Sequence, residues 1–489
     1  QQLEDLNCPL NRLGGNNTSR YNWLLNADNR ASDWYFESIG DTNATAGYRG
    51  DSFVQGNQQA GAQSMLTIPM VGWVAKLGAN RSKLASFSIA KYGAQTGHDG
   101  YMPDAGNGIL SSTNQPVTGN DPNDANVPSD STFQAGWINH LVSTFGAASN
   151  GGLRYYLLDN EPSLWHSTHR DVHPVGAAMA EILSKIEDYA AKVKAADPTA
   201  LVAGPEEWGW SGYFYSGFDQ QYGSLHGWSN LPDRTAHANA DYLPWLLSQL
   251  HHYDAANNTK SLDVFTVHYY PQSGEFSSST AANIQLLRNR STRSLWDPTY
   301  VDQSWIGSVV QLIPRLKSWV AQNYPGLQTG LTEYSWGGDS SIGGATAQAD
   351  LWGIFGREGL DLAARWVMPA TGTPTYNVMK LIRNYDGAKS GFGDISVGDT
   401  VPNPDTLSSF AAQRHTDGTM TVSIINKVTG NTQVTVNLAN FAAAGTAQVW
   451  QLTGSNTITR LADLTVTGNT VNFVAPGPSI TLLVLPTKH

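Results

Sequence analysis

The sequence is poor in cysteine, in charge and in long apolar runs. Its single cysteine, Cys8, excludes any disulfide within the chain, so its cores depend on packing. Secretion stays compatible with that count, because a large core needs no covalent staple. No uninterrupted apolar run reaches the roughly 18–20 residues of a membrane span. The opening QQLEDLNCPLNRL shows no signal peptide, and a processed N-terminus would look the same. Charged residues make up only 14%, with a net charge of −11 and a pI near 5.5. That balance argues against nucleic acid and anionic membranes as partners. Tryptophan is nearly missing from the C-terminal part: of 16 in the chain, only Trp450 lies beyond residue 386.

Glycine and aromatic residues are plentiful instead. With 489 residues and 40% hydrophobic content, the chain has material for real cores and is too long for one small domain. A surface built on Asn, Ser, Thr, Gln and aromatics, with few charges, suits a neutral polyhydroxylated ligand.

Short apolar runs alternate with helical stretches over the first three quarters of the chain. Strands are expected at 8–15, 63–71, 153–161, 200–207, 262–270, 328–336 and 363–370. Between two of them, VGAAMAEILSKIEDYAAKVKAAD has apolar residues at helical spacing and stops at Asp197-Pro198. Segments 241–253 and 305–322 repeat that pattern. Such alternation implies a parallel sheet, and its length favours a (β/α)8 TIM barrel over residues 1–385. Its first strand is not visible, as if missing or upstream. From 386 to 489 the texture changes to short β-rich pieces with Gly/Asn turns, predicting a small all-β sandwich packed on the barrel. The polar excursion 90–132 is expected on the active face.

Barrels place catalytic residues at the C-terminal ends of their strands. Glu161 in LLDNEP and Glu333 in GLTEYSW both fall there. Glycosidic hydrolysis needs two carboxyls flanking the bond, one to protonate the leaving oxygen and one to act at the anomeric carbon. A different chemistry is offered by His166, His169 and His173, whose H-x2-H-x3-H spacing suits zinc but sits on a loop broken by Pro162 and Pro174. A non-catalytic carbohydrate-binding protein is the third reading. His268 and Tyr270 in FTVHYYP lie at another strand end, in reach of sugar or nucleophile. Arg12 lies within a strand pattern, where a buried cation requires a carboxylate partner. Trp210, Trp336 and Trp366 lie on or just past strand ends and are expected to stack on pyranose rings. Asp121, Asp124, Asn126 and Asp130 form an oxygen-rich loop suited to structural Ca2+ or to plain solvation.

The stretches NRLGGNNTSRYNW, DWYFES, DNEPSLWHSTHRDVHP, GPEEWGW, VHYYP and LTEYSWGG closely resemble glycoside hydrolase family 44, from about residue 7 to the C-terminus. The resemblance implies a (β/α)8 barrel with a β-sandwich and retaining, endo-acting hydrolysis of β-1,4-glucans (cellulose-type glucan, xyloglucan, possible xylan). By motif, Glu161 resembles the acid/base and Glu333 the nucleophile. Asn160 would position Glu161 and the sugar 2-hydroxyl, while Arg12, His268 and Tyr270 would support the nucleophile. The expected protein is secreted and monomeric, needs no cofactor for catalysis, and has a β-1,4-linked polysaccharide as its partner.

Overall fold

A computed structural model describes residues 1–488. The chain forms two compact units. One comprises Leu10–Tyr269 with Trp319–Thr332; the other comprises Gln1–Pro9, Tyr270–Ser318 and the chain from Glu333 on.

Seven strands make up the barrel sheet: β1 (Leu10–Leu13), β2 (Gln63–Ile68), β3 (Tyr155–Leu158), β4 (Leu201–Glu207), β5 (Val264–Tyr269), β6 (Gln328–Tyr334) and β7 (Leu362–Arg365). They lie in sequence order from β1 to β7. The pairings β1–β2, β2–β3, β3–β4 and β4–β5 are all parallel. Each of the seven expected strands exists, and each is shorter than expected. β3 and β5 are buried along their whole length, which is why neither shows a buried–exposed alternation.

Helices cover the strands as the periodicity requires. Helix α1 (Tyr48–Ala60) precedes β2, and α2 (Ser131–Phe145) starts at Asp130, whose side chain accepts from the Phe133 N–H. In α3 (Met179–Ala196), Met179, Ile182, Ile186, Tyr189, Ala190 and Val193 are buried, a stripe at spacings of three and four. Helix α4 (Tyr242–Asn257) buries Leu243, Leu246, Leu247 and Leu250 in the same way. Helices α5 (Leu312–Asn323), α6 (Ile342–Glu358) and α7 (Pro374–Arg383) complete the set used below.

The β-rich tail has eight strands: β8 (Ile395–Val397), β9 (Leu407–Gln413), β10 (Met420–Asn426), β11 (Thr432–Asn437), β12 (Thr446–Thr453), β13 (Thr459–Thr465), β14 (Thr470–Ala475) and β15 (Ser479–Leu485). Six form a sheet in the order β8-β9-β10-β15-β12-β13, and β11 pairs with β14. Met420, Val422, Ile424, Val434, Val449, Val471 and Leu483 fill the space between them. Within the same unit α6 packs on β9, β10 and β15, and α7 on β12 and β15. A Cβ on Gly353 of α6 would stand 2.1 Å from the Phe410 ring, so helix and sheet touch at backbone distance. Beside that contact, Lys427 Nζ meets Asp350 Oδ2 at 2.8 Å, with both side chains buried.

Candidate active site

Beyond Leu158 the chain leaves β3 through two left-handed residues, Asp159 (φ 64°) and Glu161 (φ 47°). Neither is glycine, so the turn must be held by its surroundings. Asp159 is fully buried and caps the neighbouring loop, accepting from the N–H groups of Met70 and Val71. The Glu161 N–H donates to the carbonyl of Glu206 at 3.0 Å, and Trp165 Nε1 donates to the carbonyl of Asn160 at 3.1 Å. Held this way, the Glu161 carboxyl points to His268, with Oε1 2.9 Å from Nδ1.

His268 is completely buried on β5. Its Nε2 lies 3.3 Å from Glu206 Oε2, at the end of β4. Arg12 supplies the cation: its Nη2 donates to Glu206 Oε2 at 3.2 Å and to Asn160 Oδ1 at 3.1 Å. Thr266 Oγ1 donates to the other Glu206 oxygen. Burial pushes the Glu206 carboxyl up, but the His268 hydrogen bond, the Arg12 charge and Thr266 outweigh it and hold it below the usual range. The carboxylate partner that Arg12 required is thus Glu206. Asn160 Nδ2 donates onward to Asn16 Oδ1 at 3.2 Å.

Glu207 follows immediately and meets the opposite environment. It is fully buried, and its Oε2 accepts from Ser163 Oγ at 2.6 Å. Burial pushes its carboxyl up to about 8, against the hydrogen bond from Ser163 and the nearby Tyr242 hydroxyl. Neither glutamate stood out in the sequence, although GPEE at a strand end carries the same signal as LLDNEP and GLTEY.

In the other unit, Tyr270 OH donates to Glu333 Oε2 at 2.9 Å, and the Tyr270 ring meets Phe276 edge to face at 5.4 Å. Glu333 is the penultimate residue of β6 and is 5% exposed.

Other expected site residues are used differently. Trp336 is 2% exposed, with Nε1 donating to Ser291 Oγ at 3.0 Å, so it is a core residue and offers no face to a sugar. Trp210 is half-buried against Phe214 at 4.7 Å, and Trp366 is half-buried. The widely exposed tryptophans are Trp34, Trp228 and Trp305, all in loops or short turns that strand-end reasoning passes over. The three histidines do not converge: among the described residues their ring nitrogens form no group within 4.8 Å. His169 is buried beside Arg20, and His173 Nε2 meets Glu181 Oε1 at 2.9 Å. Loss of hydration in the buried site holds the His169 imidazole well below its usual range. The zinc reading therefore fails on geometry. The acidic loop also has other employment. Asp121 Oδ1 accepts from the Asn123 N–H, the two Asp124 oxygens meet Lys91 and Tyr92, and Asn126 Oδ1 accepts from Arg20. Oxygens that the sequence offered to calcium are occupied by the protein's own donors.

Among the described residues, no helix is long and apolar enough to cross a membrane. Residues 27–273 match the profile of glycoside hydrolase family 44. Endoglucanase A of Paenibacillus lautus is 31% identical over 97% of this chain and 67% of its own length. The crystal structure of CelM2, a bifunctional glucanase-xylanase protein from a metagenome library, superposes with a TM-score of 0.99 at 63% identity, covering 99% of this chain and 94% of that one. A Paenibacillus polymyxa xyloglucanase of family 44, solved with xyloglucan, gives a TM-score of 0.81 at 26% identity, covering 99% and 94%.

Proposed function

Since the chain belongs to glycoside hydrolase family 44, we propose that it is a retaining endo-β-1,4-glucanase, with Glu161 as acid/base and Glu333 as nucleophile. One observation carries this reading: each carboxyl lies at the C-terminal end of a barrel strand, and the end of β5 supplies its hydrogen-bond partner, His268 for Glu161 and Tyr270 for Glu333.

In the first step a Glu333 oxygen bonds to the anomeric carbon as the glycosidic C–O bond breaks. The Glu161 proton passes to the departing oxygen. In the second, water attacks that carbon, its proton goes to Glu161, and Glu333 leaves as carboxylate. The network around His268 fits the acid role. Arg12 keeps Glu206 ionised, so Glu206 accepts from His268 Nε2. The other ring nitrogen, Nδ1, lies 2.9 Å from Glu161 Oε1 and fixes the direction of that carboxyl before proton transfer. Tyr270 orients the Glu333 carboxylate and stabilises it when it departs. No step requires a metal, so a chelator should leave turnover intact.

The activities of these relatives support β-1,4-glucan, xyloglucan and xylan chains as the substrates to assay. Such polymers do not cross membranes, and we place the enzyme outside the cell, acting as a monomer. Glu333→Ala should abolish cleavage, with azide restoring it and giving a product of inverted configuration. Glu161→Ala should still cleave aryl glycosides with good leaving groups, where protonation matters least. Equal collapse of both variants on every substrate sinks the assignment. In a crystal structure the two carboxyls should lie about 5–5.5 Å apart.

A further inference from the structure

Glu206 and Glu207 are adjacent, both fully buried, and differently supported. Glu206 has a guanidinium and an imidazole against it. Glu207 faces Ser163 and Glu161 from the turn after β3, Tyr242 from α4, and Tyr213 with the backbone of Gly212 from the short helix Trp210–Phe214. None of these is a cation. Its Oε1 is buried without a hydrogen-bond partner, as is the Tyr242 hydroxyl near it. An ionised carboxylate in that position would have nothing to balance it.

Ser163 is what Glu207 holds, and Ser163 lies two residues beyond Glu161. Pro162 starts the 3-10 turn Pro162–Leu164, and Glu161 precedes it in the left-handed region. Two ties to the end of β4 restrain this turn: the Glu161 N–H on the Glu206 carbonyl, and the Ser163 hydroxyl on Glu207 Oε2. Gly212 permits the approach, since a Cβ there would stand 2.9 Å from that same oxygen.

We propose that Glu207, acting as an uncharged acid, is a positioning residue that anchors Ser163 and thereby the turn that aims the Glu161 carboxyl. The inference rests on Glu161 being the acid/base. Glutamine reproduces a neutral carboxyl: its carbonyl accepts from Ser163, and its amide stands in for the acid O–H. Ionisation of Glu207, whose carboxyl titrates near 8, would put a second negative charge beside Glu161. Loss of the anchor should slow the chemical step more than it weakens binding, because the turn carries the proton donor.

The test compares Glu207→Gln, Glu207→Leu and Ser163→Ala in the full chain, using kcat and KM on a soluble β-glucan from pH 5 to 9, with circular dichroism as a check on folding. Glu207→Gln should keep kcat within about threefold at pH 6 and retain activity further into the alkaline range than wild type. Ser163→Ala and Glu207→Leu should lower kcat tenfold or more, with KM within about twofold. The proposal is overturned if Ser163→Ala keeps wild-type kcat. It is equally overturned if Glu207→Gln is as slow as Glu207→Leu, because the neutral isostere must rescue. Failure of the acid/base assignment looks different: Glu161→Ala would then cleave polysaccharide normally, whatever the Glu207 variants do.

Discussion

Two neighbouring residues of one strand, Glu206 and Glu207, show how far environment outranks identity. The same side chain, equally buried, is held below the ordinary range in one case and pushed up to about 8 in the other. The difference lies in the His268 hydrogen bond and the Arg12 contact at 3.2 Å, both of which Glu207 lacks. Trp336 makes the same point for aromatics. Its position just past β6 made it a candidate stacking platform, yet its ring is buried and its indole N–H is spent on Ser291. Trp336→Ala should therefore destabilise the protein by about 3–5 kcal/mol through lost packing and an empty cavity. Denaturant unfolding measures this directly. A variant that melts like wild type but shows a tenfold higher KM would restore the platform role.

At the scale of elements, periodicity located the seven barrel strands because each is an apolar run bounded by turn residues. It located α3 because one stripe faces inward. Strands of the tail with mixed surroundings were harder. β9 alternates buried with half-exposed residues, and β13 is exposed along nearly its whole length, so neither gave an apolar run to find. The contact of α6 with the tail was invisible, since Gly353 and Asp350 announce nothing until Phe410 and Lys427 lie against them. Breaking that buried ion pair from one side, as in Lys427→Met, should cost about 3–5 kcal/mol by leaving Asp350 uncompensated. The double variant Lys427→Met/Asp350→Leu should recover most of it. Thermal melts of the three proteins decide the matter, and a silent single variant would mean the pair is not buried in solution.

For the whole molecule, the two glutamates pull stability in opposite directions with pH. Glu206 has a lowered carboxyl, so its contribution is complete above the ordinary value of 4.5 and is lost as pH falls through its folded value. Glu207 is the reverse case: it stays protonated in the fold up to about 8, while the unfolded chain releases its proton near 4.5. Unfolding therefore gains on the order of 1 kcal/mol per pH unit across that window. Melting temperature should fall from pH 5 towards pH 8, and Glu207→Gln should flatten this slope while leaving the acid limb intact. An unchanged slope in that variant would show Glu207 ionised in the native state.

Local pattern determined the barrel strands, the β-rich tail, and the two strand ends that carry Glu161 and Glu333, because burial of a strand or helix face leaves its period in the sequence. It also sufficed to demand a carboxylate for Arg12, since a buried guanidinium cannot stand alone. Which carboxylate answered, which imidazoles pointed away from one another, which tryptophan faced solvent and which of two adjacent glutamates kept its proton were decided only in three dimensions. Those outcomes depend on distances between residues as far apart in sequence as Arg12 and Glu206 or Ser163 and Glu207, and on how much water the fold leaves around each. Charge and hydration act through space, and the linear order of residues carries no record of them.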